Sequence, residues 1–274
     1  MNKTTRVLIS LTVLAGTLLS TSALAAQPGR CGNLPSNTEL RNVLLEVVNV
    51  PFDDPAGSGG LPILGVWAAL VDTTGTVCAV VSSEEGDLSV NSELAHRILA
   101  VQKANTSNAF SNSRTTTASG QLYTQSLPGG TLYGVMLNSP IDAHTGPVSR
   151  FGTARDPIIG KRIGGYSPLA GGLGLYNSAR RKVGAIGVSG QSRCTDHLIA
   201  WKVRNKLANG AFVNTNIPLG FSPTGTDALV LDVIPDPTGS GGPGRSPSGL
   251  GHPSSFCPNL PTPEQAGDAI LFFP

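Results

Sequence analysis

Val183-Gly184-Ala185-Ile186-Gly187-Val188-Ser189-Gly190, with Cys194-Thr195-Asp196-His197 close behind, is the stretch on which the fold turns. Apolar and β-branched residues make 183–188 a strand, and the small residues at its end let the backbone turn tightly. A helix then begins with an acid and an imidazole in its first turn. Polar chemistry is thereby carried to a strand-to-helix corner.

Working outward, 171–176 and 182–188 form a hairpin around 177–181, and the helix after the corner runs over 195–207. Residues 38–50 have a polar start and apolar positions at Leu40, Val43, Leu44 and Val47, a helical spacing. Residues 53–60 break that helix. Strands follow at 63–71 and 76–82, joined by the turn sequence Asp72-Thr73-Thr74-Gly75. The strongest helix covers 92–111, with Leu94, Ile98, Val101 and Ala104 on one stripe and Ser92 as its cap. Pro128-Gly129-Gly130 precedes a further strand over 131–137, and 138–167 is a long irregular excursion of the kind that carries a site or is simply mobile. Beyond Ala208 the periodicity weakens, and 236–255 is a Pro-, Gly- and Ser-rich surface tail that Cys257 is placed to pin. The order helix, two strands, helix, three strands, helix, with hairpins, implies an α+β fold built on a mainly antiparallel sheet.

The first residues decide the compartment. Met1 to Arg6 is short and basic, 7–19 is mostly apolar, and Ala23-Leu24-Ala25 offers small residues for a signal peptidase. Residues 1–25 read as a secretory leader rather than a membrane span, since Ser10, Thr12, Thr17, Ser20 and Thr21 interrupt the run. Lys3 and Arg6 leave with it, so the 19 Lys and Arg fall to 17, matching the 17 Asp and Glu. A neutral mature chain gives no support to nucleic-acid binding or to attraction by an anionic membrane. With 39% hydrophobic and only 13% charged residues, 34 Gly and 21 Pro, the expectation is a loop-rich exported protein with a real core.

Four cysteines in an oxidising compartment read as two disulfides, with three possible pairings. Cys31-Gly32-Asn33-Leu34-Pro35-Ser36 and Cys257-Pro258-Asn259-Leu260-Pro261-Thr262 are nearly the same hexapeptide, a likeness that chance also produces. It points to Cys31 with Cys257, tying the two ends, and Cys78 with Cys194 inside the domain.

The candidate chemistry is carried by imidazoles. His197 lies in a first helical turn, where free backbone amides disfavour its cation and leave a neutral ring able to coordinate metal. The bland alternative is that Asp196 charges the helix start while His197 merely packs. His96 shares a helix face with Ala100, Lys103 and Ser107, which either lines a cleft for an anionic ligand or is a solvated surface. His144 lies in the long excursion. Gly187-Val188-Ser189-Gly190-Gln191 lacks the glycine that a nucleophile elbow needs two places after its serine. No phosphate-cradling loop occurs, and Cys194-Thr195-Asp196-His197 lacks the second cysteine of covalent c-type haem attachment.

Trp67-Ala68-Ala69-Leu70-Val71-Asp72, Ala100-Val101-Gln102-Lys103-Ala104-Asn105-Thr106, Gly171-Gly172-Leu173-Gly174-Leu175-Tyr176, and 183–190 with Asp196 resemble, in order, the GlcG/HbpS-like haem-binding proteins. That group is related to the C-terminal domain of PduO-type corrinoid adenosyltransferases. The resemblance spans about 40–207 and implies a domain over 31–207, with 208–274 as a loop-rich extension. It implies a profilin-like three-layer α/β/α arrangement around a five-stranded antiparallel sheet, non-covalent haem or a related tetrapyrrole, and homo-oligomers. It fixes no axial ligand, so His197 and His96 enter as metal candidates from their own surroundings, with Lys103 and His144 as further cofactor contacts. The expectation is a periplasmic or secreted haem-binding protein, in carriage, sensing or breakdown, with no nucleic-acid partner and no membrane insertion. The alternatives are an enzyme acting on a tetrapyrrole or small acid through Asp196 and His197, and a cofactor-free assembly module.

Overall fold

The structure, a computed structural model, describes residues 31–49, 65–135, 146–234, 246–252, 257 and 267–272. The leader, His144 and most of the Pro/Gly-rich stretch therefore lie outside the described residues. In chain order the elements are helix α1 (Asn37–Val48), strands β1 (Trp67–Asp72) and β2 (Val77–Ser82), the short helix α2 (Leu88–Asn91), helix α3 (Leu94–Phe110), and β3 (Thr115–Thr116). They continue as α4 (Tyr123–Ser126), β4 (Gly172–Tyr176), β5 (Lys182–Ser189), α5 (Arg193–Lys206), β6 (Leu219–Gly220), β7 (Leu229–Leu231) and β8 (Ile270–Phe272).

The central sheet runs β2-β1-β5-β4, every neighbouring pair antiparallel. Alternation along its strands feeds two cores, as a sheet covered on both faces requires. Ala68, Leu70, Ile186 and Val188 point to α1 and α5, with Leu40, Leu44, Leu198 and Ile199. Trp67, Ala69, Val71 and Ala185 point the other way, to Ile98, Ala100, Val101 and Ala104 of α3. The result is the helix–sheet–helix layering expected of the chain.

Helix α3 lies very close to the sheet. A Cβ on Gly187 would stand 2.0 Å from the Ala100 carbonyl oxygen, and one on Gly172 would stand 2.1 Å from that of Lys103. Main chain thus rests on main chain, which only glycine permits. The outer side of α3 is covered by the described part of the 138–167 excursion: Phe151 and Ile158 join its core. Arg97 anchors that cover, with Nε donating to Asp156 Oδ2 at 2.8 Å and its guanidinium 3.8 Å from the Phe151 ring centre. The excursion is a lid of the core as far as it is described.

Several expectations are corrected. The sheet has four strands among the described residues, not five, because 131–135 coil into successive turns. Gly129 and Gly134 adopt φ of 87° and 88°, and amides bond back three residues, as Tyr133 does to the Gly130 carbonyl at 3.2 Å. That leaves no ladder for a strand partner. Ser92 does not cap α3; its hydroxyl accepts the Trp67 indole N–H at 2.6 Å, and Glu93 stands at the cap position.

The disulfides join Cys31 to Cys78 and Cys194 to Cys257, with Cα atoms 5.5 and 5.4 Å apart. Packing of α1 over β2, where Asn37 Nδ2 donates to the Val80 carbonyl at 2.8 Å, brings Cys31 to the strand that carries Cys78. Cys194 opens α5, against which the C-terminal segment returns. Part of the stretch after Ala208 is core rather than surface: β7 and β8 pair in parallel, and Leu229, Leu231 and Ile270 are buried beside α5. Arg204 seals that junction, donating from Nη1 and Nη2 to the two Asp227 carboxylate oxygens at 2.7 and 2.9 Å.

Candidate functional site

Strand β5 ends against β1 in the register Trp67↔Ser189, and the chain then turns at Gly190, whose φ is 146°. A Cβ there would stand 2.4 Å from the Gly65 carbonyl oxygen, so the turn needs glycine for space as well as conformation. Ser192 caps α5, its hydroxyl accepting the Thr195 N–H at 3.3 Å. Asp196 in the first turn is consequently free of capping and turns toward α3. Its Oδ1 accepts the Gln191 N–H at 2.9 Å and its Oδ2 accepts Lys103 Nζ at 2.7 Å.

Lys103 is buried beneath α3 and donates also to the Val188 carbonyl at 3.0 Å and to Ser189 Oγ at 3.2 Å. Ser189 Oγ in turn lies 3.0 Å from His96 Nδ1, and His96 Nε2 lies 2.8 Å from Glu93 Oε2. A continuous chain therefore leads from the buried ion pair to the surface: Asp196, Lys103, Ser189, His96, Glu93. Burial pushes the Asp196 carboxyl up from the carboxylate range, while the Lys103 charge, its hydrogen bond and the Gln191 amide pull it down less strongly.

The outer end of this chain opens onto a cavity of about 540 Å³, lined by Gly65, Glu84, Val90, Asn91, Ser92, Glu93, His96, Gly190 and Gln191. It lies where the sequence places polar chemistry, at the β5–α5 corner. Glu84 is turned to the Gly65 amide, accepting its N–H at 2.5 Å. A second cavity of about 800 Å³ shares Glu84 and reaches Arg41, Asp87 and Phe151, but among the described residues no imidazole lines it.

The residues singled out from sequence separate into two environments. His96 reaches the cavity; Lys103 stands behind it and is sealed from it. His197 is fully buried on the far side of α5, near Trp201, with ring centres 6.1 Å apart, and beneath the returning C-terminal segment. Neither of its nitrogens has a hydrogen-bond partner among the described residues, though the Ala269 backbone faces the ring closely enough to favour its cation weakly. Burial dominates and holds its pKa down at about 4, so the ring is neutral. Asp196 and His197 are adjacent in sequence, yet no hydrogen bond joins them and neither lines the cavity. Ser189 and Glu93 are members of the network that sequence reasoning did not single out. The spacing of Glu93, His96 and Lys103 along one helix was the available signal.

No family model matches the chain, and no curated protein matches it. Solved structures do. The chain is similar to the Klebsiella pneumoniae protein ORFY, at 18% identity over 61% of this chain and 84% of that one, with a TM-score of 0.37. It is similar to a PduOC:haem complex at 21% identity, over 63% of this chain and 93% of that one, with a TM-score of 0.38. A third is HbpS, at 16% identity over 70% of this chain and 96% of that one, with a TM-score of 0.31.

Proposed function

We propose that this chain is an exported tetrapyrrole-binding protein, with haem as the ligand class, and that the β5–α5 corner holds the macrocycle against His96. The observation that carries this reading is an imidazole on the wall of a roughly 540 Å³ cavity, within the approximately 300–1,000 Å³ usual for small-molecule sites. Gly65 presents bare backbone on that wall, with open space where a side chain would stand, which lets a flat ligand approach closely. Val90, 77% exposed at the rim, offers apolar surface that a macrocycle would cover. The bound group would supply iron redox chemistry. The protein's part is to orient it, through a His96 ring fixed from behind by Ser189 and Lys103.

The two disulfides suit an oxidising compartment, in keeping with a leader over 1–25 and function outside the cytoplasm. Among the described residues no helix is long and apolar enough to cross a membrane. The same reading takes 31–207 as the binding unit, 208–274 as an extension that completes its core, and a homo-oligomer as the working form.

Titration of the purified chain with haemin tests the proposal. A saturable Soret shift is expected, weakened in His96→Ala and unchanged in His197→Phe. Absence of any saturable shift with the unsubstituted protein overturns it.

A further inference from the structure

The hydrogen bonds around His96 have one consistent polarity. An ammonium has protons and no lone pair, and Lys103 Nζ donates to the Val188 carbonyl at 3.0 Å, to Asp196 Oδ2 at 2.7 Å and to Ser189 Oγ at 3.2 Å. At the other end an ionised carboxylate can only accept, and Glu93 Oε2 lies 2.8 Å from His96 Nε2. Two acceptors so close would repel, so Nε2 carries a hydrogen. In the neutral ring Nδ1 is then the acceptor and takes the Ser189 hydroxyl proton across 3.0 Å. In the cationic ring Nδ1–H donates to Ser189 instead, and Nε2 keeps its hydrogen. In either state the cavity meets an N–H group rather than a lone pair.

Among the described residues Glu93 is the one carboxylate on this N–H, and its side chain is 82% exposed. Exchanging it for another carboxylate preserves the hydrogen bond and releases Glu93 to water at little cost. We propose that His96 recognises a carboxylate of the ligand through Nε2–H, in the seat that Glu93 holds, with Ser189 and Lys103 as positioning residues. The inference rests on the tetrapyrrole reading and specifies what the site grips: an acid side arm of the macrocycle rather than its metal.

The test compares haemin, metal-free protoporphyrin IX and protoporphyrin IX dimethyl ester, titrated against the whole chain by absorbance and fluorescence. Haemin and protoporphyrin IX should bind within about threefold of each other, and the ester roughly 10- to 100-fold more weakly, the range lost with one charge-assisted hydrogen bond. His96→Gln keeps both an acceptor for Ser189 and a donor for the ligand, and should bind protoporphyrin IX nearly as the parent does. His96→Ala should not. Glu93→Gln, which removes the competing carboxylate, should tighten binding. Haemin binding without protoporphyrin IX binding, or loss in His96→Gln equal to that in His96→Ala, overturns carboxylate recognition and leaves tetrapyrrole binding standing. Failure of all three porphyrins overturns both.

Discussion

His96 and His197 stand on opposite sides of one corner and differ in nearly everything except residue type. His96 is wired on both ring nitrogens, at 3.0 Å to Ser189 and 2.8 Å to Glu93, and reaches a cavity. His197 is fully buried, lacks a hydrogen-bond partner among the described residues and is enclosed by α5 and the C-terminal segment. The difference teaches that position in a first helical turn confers no access to ligand. What decides access is which layer packs over the side chain afterwards.

The sharpest way to test this division is to break the ion pair on each side. Arg204→Ala leaves Asp227 as an uncompensated buried charge and should cost about 3–5 kcal/mol in chemical denaturation, while porphyrin affinity of the folded fraction stays unchanged. Lys103→Ala should cost a similar amount and also weaken binding, because Ser189 and His96 lose their anchor. Equal effects of both on binding would erase the distinction. Asp227 adds an acid limb: burial alone would raise its pKa, but Arg204 and the Thr116 hydroxyl hold it down. Its contribution is therefore present above the ordinary carboxylate value of 3.8 and is lost as pH falls through the lower folded value.

Replacing Cys194 and Cys257 together by alanine should lower stability by about 2–4 kcal/mol and raise the hydrogen exchange of α5 amides near His197, with those of α3 near His96 unaffected. The His197 ring supplies a pH signature of comparable size. Its folded pKa of about 4 lies below the ordinary 6.5, so between these values the unfolded chain takes up a proton that the folded protein refuses. Stability should climb by about 3 kcal/mol as pH rises across that window and level off above it, and His197→Phe should flatten the climb. Smallest of the set, Ser189→Ala should cost about 1 kcal/mol yet weaken porphyrin binding measurably, since it unfastens His96.

Much of the fold was legible because it is written in local periodicity. The stripe Leu94, Ile98, Val101, Ala104 found α3, and the apolar runs either side of the turn sequence Asp72-Thr73-Thr74-Gly75 found the first hairpin. At the candidate site, His96 and Lys103 were visible as one helix face. Sequence could not show that this face turns toward the sheet, since Lys103 is polar and only its partner Asp196, far along the chain, makes its burial tolerable. Sequence left His197 open between metal candidate and packed ring for a related reason: its cover arrives with Cys257 and 267–272, and contacts of such separation leave no periodic trace. The strand expected over 131–137 was lost to Gly129 and Gly134, where turn chemistry overrides β-branched and aromatic preference.

The bare backbone of Gly172 and Gly187 under α3 has one more implication. At those two points no rotamer that can yield lies between helix and sheet, so the axis is located there as a beam is by fixed bearings. Whatever His96 grips is consequently held against a rigid mount, and adaptation to guests of different outline must come from the rim at Val90 to Glu93 rather than from the beam.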